Sequence, residues 1–180
     1  KMNLPNKLTM LRIILIPVFL VLVLVESIPL HYLWALLVYL IACFTDTLDG
    51  HIARSRGLVT DFGKLMDPLA DKLLVMSALV AFIPVAGVPV WVVVVILARE
   101  FMVTSLRLIA AGKGVVIAAD KWGKIKTISQ MIWLNYTLLM LWLFPEAGWA
   151  HTVLVVLMVA TTVLSGANYM LKNKELYSDR

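Results

Sequence analysis

Cysteine is nearly absent from the sequence: Cys43 is the only one, and it is accompanied by just three histidines. A lone cysteine cannot close an intramolecular disulfide, so the fold must be held together by other means. Cys43 is expected to pack as a small apolar residue in a helix. Structural zinc sites draw their four ligands from Cys and His, so this composition argues against a zinc protein.

Charge is also scarce. Only 15% of the 180 residues are charged, whereas 62% are hydrophobic and the mean hydropathy is +0.93. Soluble domains are about 45–50% apolar, so the composition indicates an integral membrane protein, with one domain over residues 1–180. The formal net charge of +5 is expected to set orientation and to hold membrane lipids, not nucleic acid. Lys1 stands before Met2 and is interpreted as a tag remnant.

The apolar residues fall into segments long enough to cross a bilayer, which takes about 20 residues of helix. Turn-forming residues separate the segments, as in the stretches ESIPLH, IPVAGVP and FPEAGWAH. The sequence therefore predicts an all-α membrane bundle of six transmembrane helices, at about 8–25, 30–54, 62–84, 89–112, 122–144 and 148–172.

Lysine and arginine are missing from three of the predicted connections, 26–30, 83–89 and 145–150. They concentrate instead at the chain ends and around the two remaining connections. By the positive-inside rule, both termini are predicted to lie in the cytoplasm, with the protein in the plasma or inner membrane.

Five of the seven aspartates lie within residues 46–71, at the cytoplasmic end of two predicted helices. Asp46 and Asp49 are spaced i, i+3, and Asp67 and Asp71 are spaced i, i+4, so each pair shares a helix face. The spacing predicts four carboxylates pointing toward one place, where hard cations such as Mg²⁺, Mn²⁺ or Ca²⁺ would offset their repulsion. The alternative is a set of solvated helix caps, an interpretation favoured for Asp61 taken alone.

The spacing of these residues carries a family resemblance. The pattern Asp46-x2-Asp49-Gly50-x2-Ala53-Arg54-x8-Gly63-x3-Asp67-x3-Asp71 resembles the signature of the CDP-alcohol phosphotransferase family at every position. The resemblance implies transfer of a phosphatidyl group, or a related phosphate ester, from a CDP-linked donor to an alcohol, with release of CMP. It also implies a homodimer.

The same resemblance implies roles for individual residues. Two Mg²⁺ or Mn²⁺ ions would be held by Asp46, Asp49, Asp67 and Asp71, and Asp71 would also act as the general base on the attacking hydroxyl. The CDP donor, expected to be CDP-diacylglycerol, would be contacted by Pro5, Asn6, Thr9, Gly50, Arg54 and Thr60. Asn6 could equally be an ordinary helix N-cap.

A second polar cluster lies in residues 99–127. Glu100, Thr104 and Arg107 share a face by their i, i+4, i+7 spacing, and Arg99 and Glu100 are expected to find partners on other helices because neighbouring helical residues do not face each other. Arg107, Lys124 and Lys126 are candidates for binding the phosphate of a small acceptor. For the two lysines, a role in topology and lipid anchoring is the alternative.

The wording of this segment, REFMVTSLRLIAAGKG followed by KWGKIKT, is similar to the phosphatidylglycerophosphate synthase branch of the family. This similarity implies glycerol 3-phosphate as the acceptor, with an inositol phosphate, serine or phosphatidylglycerol as alternatives. A divalent-cation transporter is the alternative from another class. It is disfavoured because the aspartates sit at one membrane surface and not at the midplane.

Overall fold

The computed structural model describes residues 4–55, 61–115, 117, 120–145 and 148–177. Within these ranges, the structure does not describe the side chains of residues 4, 5, 47, 49–55, 61, 62, 64, 65 and 176. The described part of the chain is all-helical and contains no strand. Its six α-helices are α1 (Leu4–Leu24), α2 (His31–Ser55), α3 (Asp61–Ala86), α4 (Val90–Gly112), α5 (Lys121–Leu143) and α6 (Gly148–Lys172), followed by a 3-10 turn, Lys174–Leu176.

The helix boundaries follow local backbone chemistry. Although Pro84 lies inside α3, the helix continues to Ala86, and the break comes at Gly87, whose φ of +67° suits glycine. At the end of α4, Gly114 has a φ of +71° and the Val115 amide donates to the Ala110 carbonyl at 2.8 Å. This arrangement is a Schellman motif, which caps the last turn of the helix. All six predicted helices are thus confirmed as helices.

Three helical segments are each long and apolar enough to cross a membrane: Asn6–Leu24, Met66–Ala86 and Gly148–Lys172. A shorter apolar segment covers His31–Asp46. Many large apolar side chains point outward, including Phe44 at 67%, Phe101 at 68% and Leu108 at 69% exposure. A surface this apolar fits helices whose outer faces meet lipid, so a membrane protein agrees with both composition and structure.

The chain divides into two compact units, the first made of residues 1–87 and 138–145 and the second of residues 88–137 and 146–180. In the first unit, α1 packs against both α2 and α3. Fully buried alanines let these helices approach closely, and Phe19 of α1 packs on Tyr39 of α2 with ring centroids 6.4 Å apart. The buried alanines of α2 and α3 include Ala35, Ala42, Ala70 and Ala78.

In the second unit, α4 packs against α6, where Val103, Leu106 and Tyr169 form a small apolar cluster. Polar side chains also link α5 to α6. Ser129 and Thr161 share a hydrogen bond of 2.8 Å, and the Trp133 indole N–H donates to His151 Nε2 at 3.2 Å. These two bonds link α5 and α6 side by side, and the one between Trp133 and His151 pairs polar groups that are both buried.

Candidate active site

In the first unit, three predicted aspartates are held by two side chains of α1. Arg12 Nη1 lies 2.6 Å from Asp71 Oδ1 and 3.1 Å from Asp46 Oδ1. One turn earlier on α1, the Thr9 hydroxyl donates to Asp67 Oδ1 at 2.5 Å. Helix α1 thus presents Thr9 and Arg12 to acidic residues of both α2 and α3.

The two aspartates that share Arg12 are accessible from outside. The Arg12 side chain is only 1% exposed, whereas those of Asp46 and Asp71 are 42% and 47% exposed. The arginine is therefore shielded from solvent, whereas the two carboxylates are accessible to a ligand. Gly63, which belongs to the family-like pattern, is buried in the first part of α3.

The donor chemistry of this cluster fits a hard divalent cation. Asp46 and Asp71 come from different helices, yet their oxygens bond to the same nitrogen atom. Carboxylate oxygens are the ligands that Mg²⁺ and Mn²⁺ prefer. Among the residues that the structure describes, no three His, Cys, Asp or Glu side chains are grouped so that they could hold a metal ion. The side chain of Asp49, the fourth predicted ligand, lies outside the described residues.

The structure describes the side chains of only two of the predicted donor contacts. Asn6 is buried at 7% exposure and Thr9 at 0%, both on the helix that meets the aspartates. The described residues do not include Thr60, and the structure does not describe the surroundings of Pro5, Gly50 and Arg54. The assignment of all six residues to the CDP donor stays a prediction.

The second unit contains a buried cluster of charges around Glu100. Lys126 Nζ lies 2.5 Å from Glu100 Oε1, and Arg99 Nη1 lies 2.9 Å from the same oxygen. Arg99 Nη2 also donates to Ser165 Oγ of α6 at 2.6 Å. The three charged side chains are 7–12% exposed. Two cations thus surround one carboxylate in a mostly buried place.

The partners expected for Arg99 and Glu100 beyond each other are present, Ser165 of α6 for Arg99 and Lys126 of α5 for Glu100. Each does reach another helix, but they also bond to each other, because the long arginine side chain can bend back along the helix surface. Glycine at position 166 makes room for this path, since a Cβ there would lie 3.1 Å from Arg99 Cγ. A groove of about 330 Å³ runs beside Arg99, lined also by Met102, Thr162 and Met170.

The three candidates for the acceptor phosphate have different surroundings. Lys126 is buried against Glu100, and Lys124 is exposed. Arg107 donates from Nε to the Tyr169 hydroxyl at 3.0 Å and stacks over the same ring at 5.7 Å. Arg107 lies two helical turns from Glu100, about 10 Å along α4. A joint role of Arg107, Lys124 and Lys126 in binding the acceptor phosphate stays a prediction.

Four contributors to the two clusters were not predicted as site residues: Arg12, Arg99, Ser165 and Tyr169. For Arg12 a signal was present in the sequence. It is a charged residue inside an apolar membrane helix, where an unpaired charge costs at least about 2.5–3.5 kcal/mol. Such a residue needs an acidic partner, and the nearest dense group of acids is the aspartate pattern. Ser165 and Tyr169 carried no comparable signal, because single polar residues are common in membrane helices.

These observations define the class of the protein: a helical membrane-type protein with clustered aspartates on paired helices. A family model described as CDP-alcohol phosphatidyltransferase matches residues 2–167, and the chain belongs to this family. It is 46% identical over 189 aligned residues to a Bacillus subtilis (strain 168) protein named CDP-diacylglycerol–glycerol-3-phosphate 3-phosphatidyltransferase, covering 96% of each chain. A Rickettsia prowazekii (strain Madrid E) protein of the same name is 42% identical over 137 residues, covering 76% of this chain and 75% of the relative.

The charge cluster of the second unit can be tested through Glu100→Gln. This change leaves Arg99 and Lys126 close together without their shared counter-charge, and breaking a buried ion pair by removing one partner costs about 3 kcal/mol or more. We expect a clear fall in the thermal unfolding midpoint of the detergent-solubilised protein. The control is Glu26→Gln, the same change at an exposed position, for which the midpoint should not move. Equal midpoints for both variants would show that the cluster does not stabilise the fold.

Proposed function

We propose that the protein transfers the phosphatidyl group of CDP-diacylglycerol to glycerol 3-phosphate, giving phosphatidylglycerophosphate and CMP. The observation that carries the proposal is the convergence of Asp46 and Asp71, from two helices, on one cationic atom. Carboxylates brought together from two helices support a site for a divalent cation that binds a diphosphate. The substrates are those in the names of the Bacillus subtilis and Rickettsia prowazekii relatives.

The reaction needs a proton acceptor, and Asp71 is the proposed one. The acceptor hydroxyl oxygen forms a bond to the phosphorus that carries diacylglycerol, and the bond from that phosphorus to the CMP oxygen breaks. CMP leaves with the electron pair, and the hydroxyl proton goes to the Asp71 carboxylate. The exposed surface of Asp71 allows the hydroxyl to reach it, and Arg12 holds the carboxylate in position.

Asp46, Asp49, Asp67 and Asp71 are the residues proposed to hold two Mg²⁺ or Mn²⁺ ions. Bound there, the ions would neutralise the donor diphosphate and the charge that develops during an in-line displacement. The donor head group would lie along α1 and α2, against Asn6, Thr9 and the backbone at Gly50, with Arg54 on a phosphate. Pro5 and Thr60 complete the proposed donor contacts.

The basic residues around Glu100 support an anionic acceptor. Lys126 and Arg99 both contact one carboxylate oxygen of Glu100, and cations gathered in this way are suited to binding a phosphate. We assign the acceptor phosphate to Lys126, with Arg107 and Lys124 as further cationic contacts. An acceptor without phosphate would not use these cations, which disfavours serine.

The membrane arrangement completes the proposal: six spans, both termini in the cytoplasm and the aspartates facing the cytoplasm, in the plasma or inner membrane. It rests on the absence of Lys and Arg from the connections at 26–30, 83–89 and 145–150. The acyl chains of the donor would stay among the membrane lipids while its head group enters the site. A homodimer is proposed from the family resemblance alone.

The acceptor assignment is tested by CMP release from purified protein with CDP-diacylglycerol and Mg²⁺ or Mn²⁺. Glycerol 3-phosphate should support release at least about tenfold faster than serine, because one lost charge-assisted contact already costs about 1.5–3 kcal/mol. Release with an inositol phosphate or phosphatidylglycerol should also be slower. Activity confined to an acceptor without a phosphate would overturn the role of the basic cluster. Activity with an inositol phosphate alone would keep the family and replace the substrate.

The base assignment is tested by Asp71→Asn. Its amide oxygen can still accept a hydrogen bond from Arg12, so we expect the fold to persist, whereas CMP release should fall by about 10²–10⁴-fold. The thermal unfolding midpoint checks the fold, and Glu26→Gln serves again as the matched acid-to-amide control. Near wild-type turnover in Asp71→Asn would remove Asp71 from the base role.

A further inference from the structure

Arg12 is the most buried charged residue of the acidic site. Its side chain is 1% exposed, although it lies on α1, a helix whose segment from Asn6 to Leu24 is apolar enough to span a membrane. An arginine in such a place is stable only with compensating negative charge. Two acidic partners that the structure describes, Asp46 and Asp71, belong to the proposed metal ligands, so the arginine is part of the site and not of the surrounding surface.

The contact geometry resembles that of a bridging cation. A single atom, Nη1, touches Oδ1 of Asp71 at 2.6 Å and Oδ1 of Asp46 at 3.1 Å. Two carboxylates on separate helices would otherwise repel each other. A positive charge between them holds α2 and α3 at the separation that the site needs.

We infer that Arg12 is a positioning residue that acts as a built-in counter-cation of this site. It holds Asp46 and Asp71 side by side before any divalent cation binds, and it lowers the affinity of the carboxylates for divalent cations. The inference rests on the proposed function, because that proposal makes these aspartates metal ligands. It adds a residue outside the family-like pattern and assigns to it the tuning of metal affinity.

The direction of the effect follows from the charges. A divalent cation bound to the same carboxylates stands within a few ångströms of the guanidinium, and like charges at such a distance repel strongly in a partly buried site. It must also share or displace the two oxygen contacts that Nη1 already makes. The diphosphate of the donor brings negative charge that offsets this repulsion, so metal and donor should bind cooperatively. Without the donor, a divalent cation should therefore bind more weakly to the wild type than to the same carboxylates in a protein that lacks Arg12.

The experiment uses the full chain in detergent and measures Mn²⁺ binding by titration calorimetry without nucleotide. Arg12→Gln should bind Mn²⁺ more tightly than the wild type by about tenfold or more. The free energy of this change is a small part of the charge repulsion that the substitution removes. In the absence of metal, the same variant should unfold at a lower temperature, because Asp46 and Asp71 then lose the cation that they share. Saturating Mn²⁺ should restore most of that loss.

Two further variants act as controls. Lys7→Gln removes one positive charge from an exposed position of the same helix, and its Mn²⁺ affinity should stay within about threefold of the wild type since solvent screens a distant surface charge. Arg12→Lys keeps the charge, so its affinity should also stay close to the wild type. If Arg12→Gln does not fold, Arg12→Lys decides the question. For Arg12→Lys, a midpoint and a Mn²⁺ affinity close to those of the wild type support the inference, and an equal loss of midpoint with and without Mn²⁺ overturns it.

The outcomes separate the inference from the function. If the wild type binds Mn²⁺ and releases CMP, but Arg12→Gln binds the metal equally or more weakly, Arg12 is a structural residue only and the inference alone fails. If the wild type binds no divalent cation, the inference fails together with the metal-dependent part of the proposed function.

Discussion

The structure of the candidate site depends on one electrostatic requirement, which is that carboxylates gathered in an apolar helical bundle need positive charge close by. In the first unit this charge comes from Arg12 of α1, which contacts Asp46 of α2 and Asp71 of α3. The same contacts link α1, α2 and α3 to one another. Elsewhere in the first unit, buried alanines and the Phe19–Tyr39 pair pack these helices together. Site formation and helix packing are therefore parts of one arrangement.

The two charged clusters use the same principle with opposite signs. In the first unit two carboxylates surround one guanidinium nitrogen, and in the second unit two cations surround the carboxylate of Glu100. The majority charge of each cluster fits the ligand proposed for that place, a divalent cation for the aspartates and a phosphate for the basic residues. Such partial neutralisation lowers the free-energy cost of burying charges in an apolar protein and leaves them able to bind a ligand of opposite charge.

The sequence predicted the helices well because their signal is local. Apolar length and turn-forming residues located all six, and the ends differ from those expected by a few residues, as where α3 continues past Pro84. The aspartate pattern was equally local, since helical spacing alone puts Asp67 and Asp71 on one face. The contacts of Arg12 and the Arg99–Glu100–Lys126 arrangement could not be predicted in this way. They depend on how each helix is rotated toward its neighbours, and the path of Arg99 further depends on the missing side chain at Gly166.

The central claim is that the aspartates of α2 and α3 hold two cations together, and electron paramagnetic resonance of bound Mn²⁺ tests it most directly. With the full chain in detergent and a CDP nucleotide present, the account predicts two Mn²⁺ per chain whose spectrum shows spin coupling, as expected for ions about 3.5–4 Å apart. Asp67→Asn should reduce the coupled signal. A single uncoupled ion per chain, or no bound Mn²⁺ at all, would contradict the account.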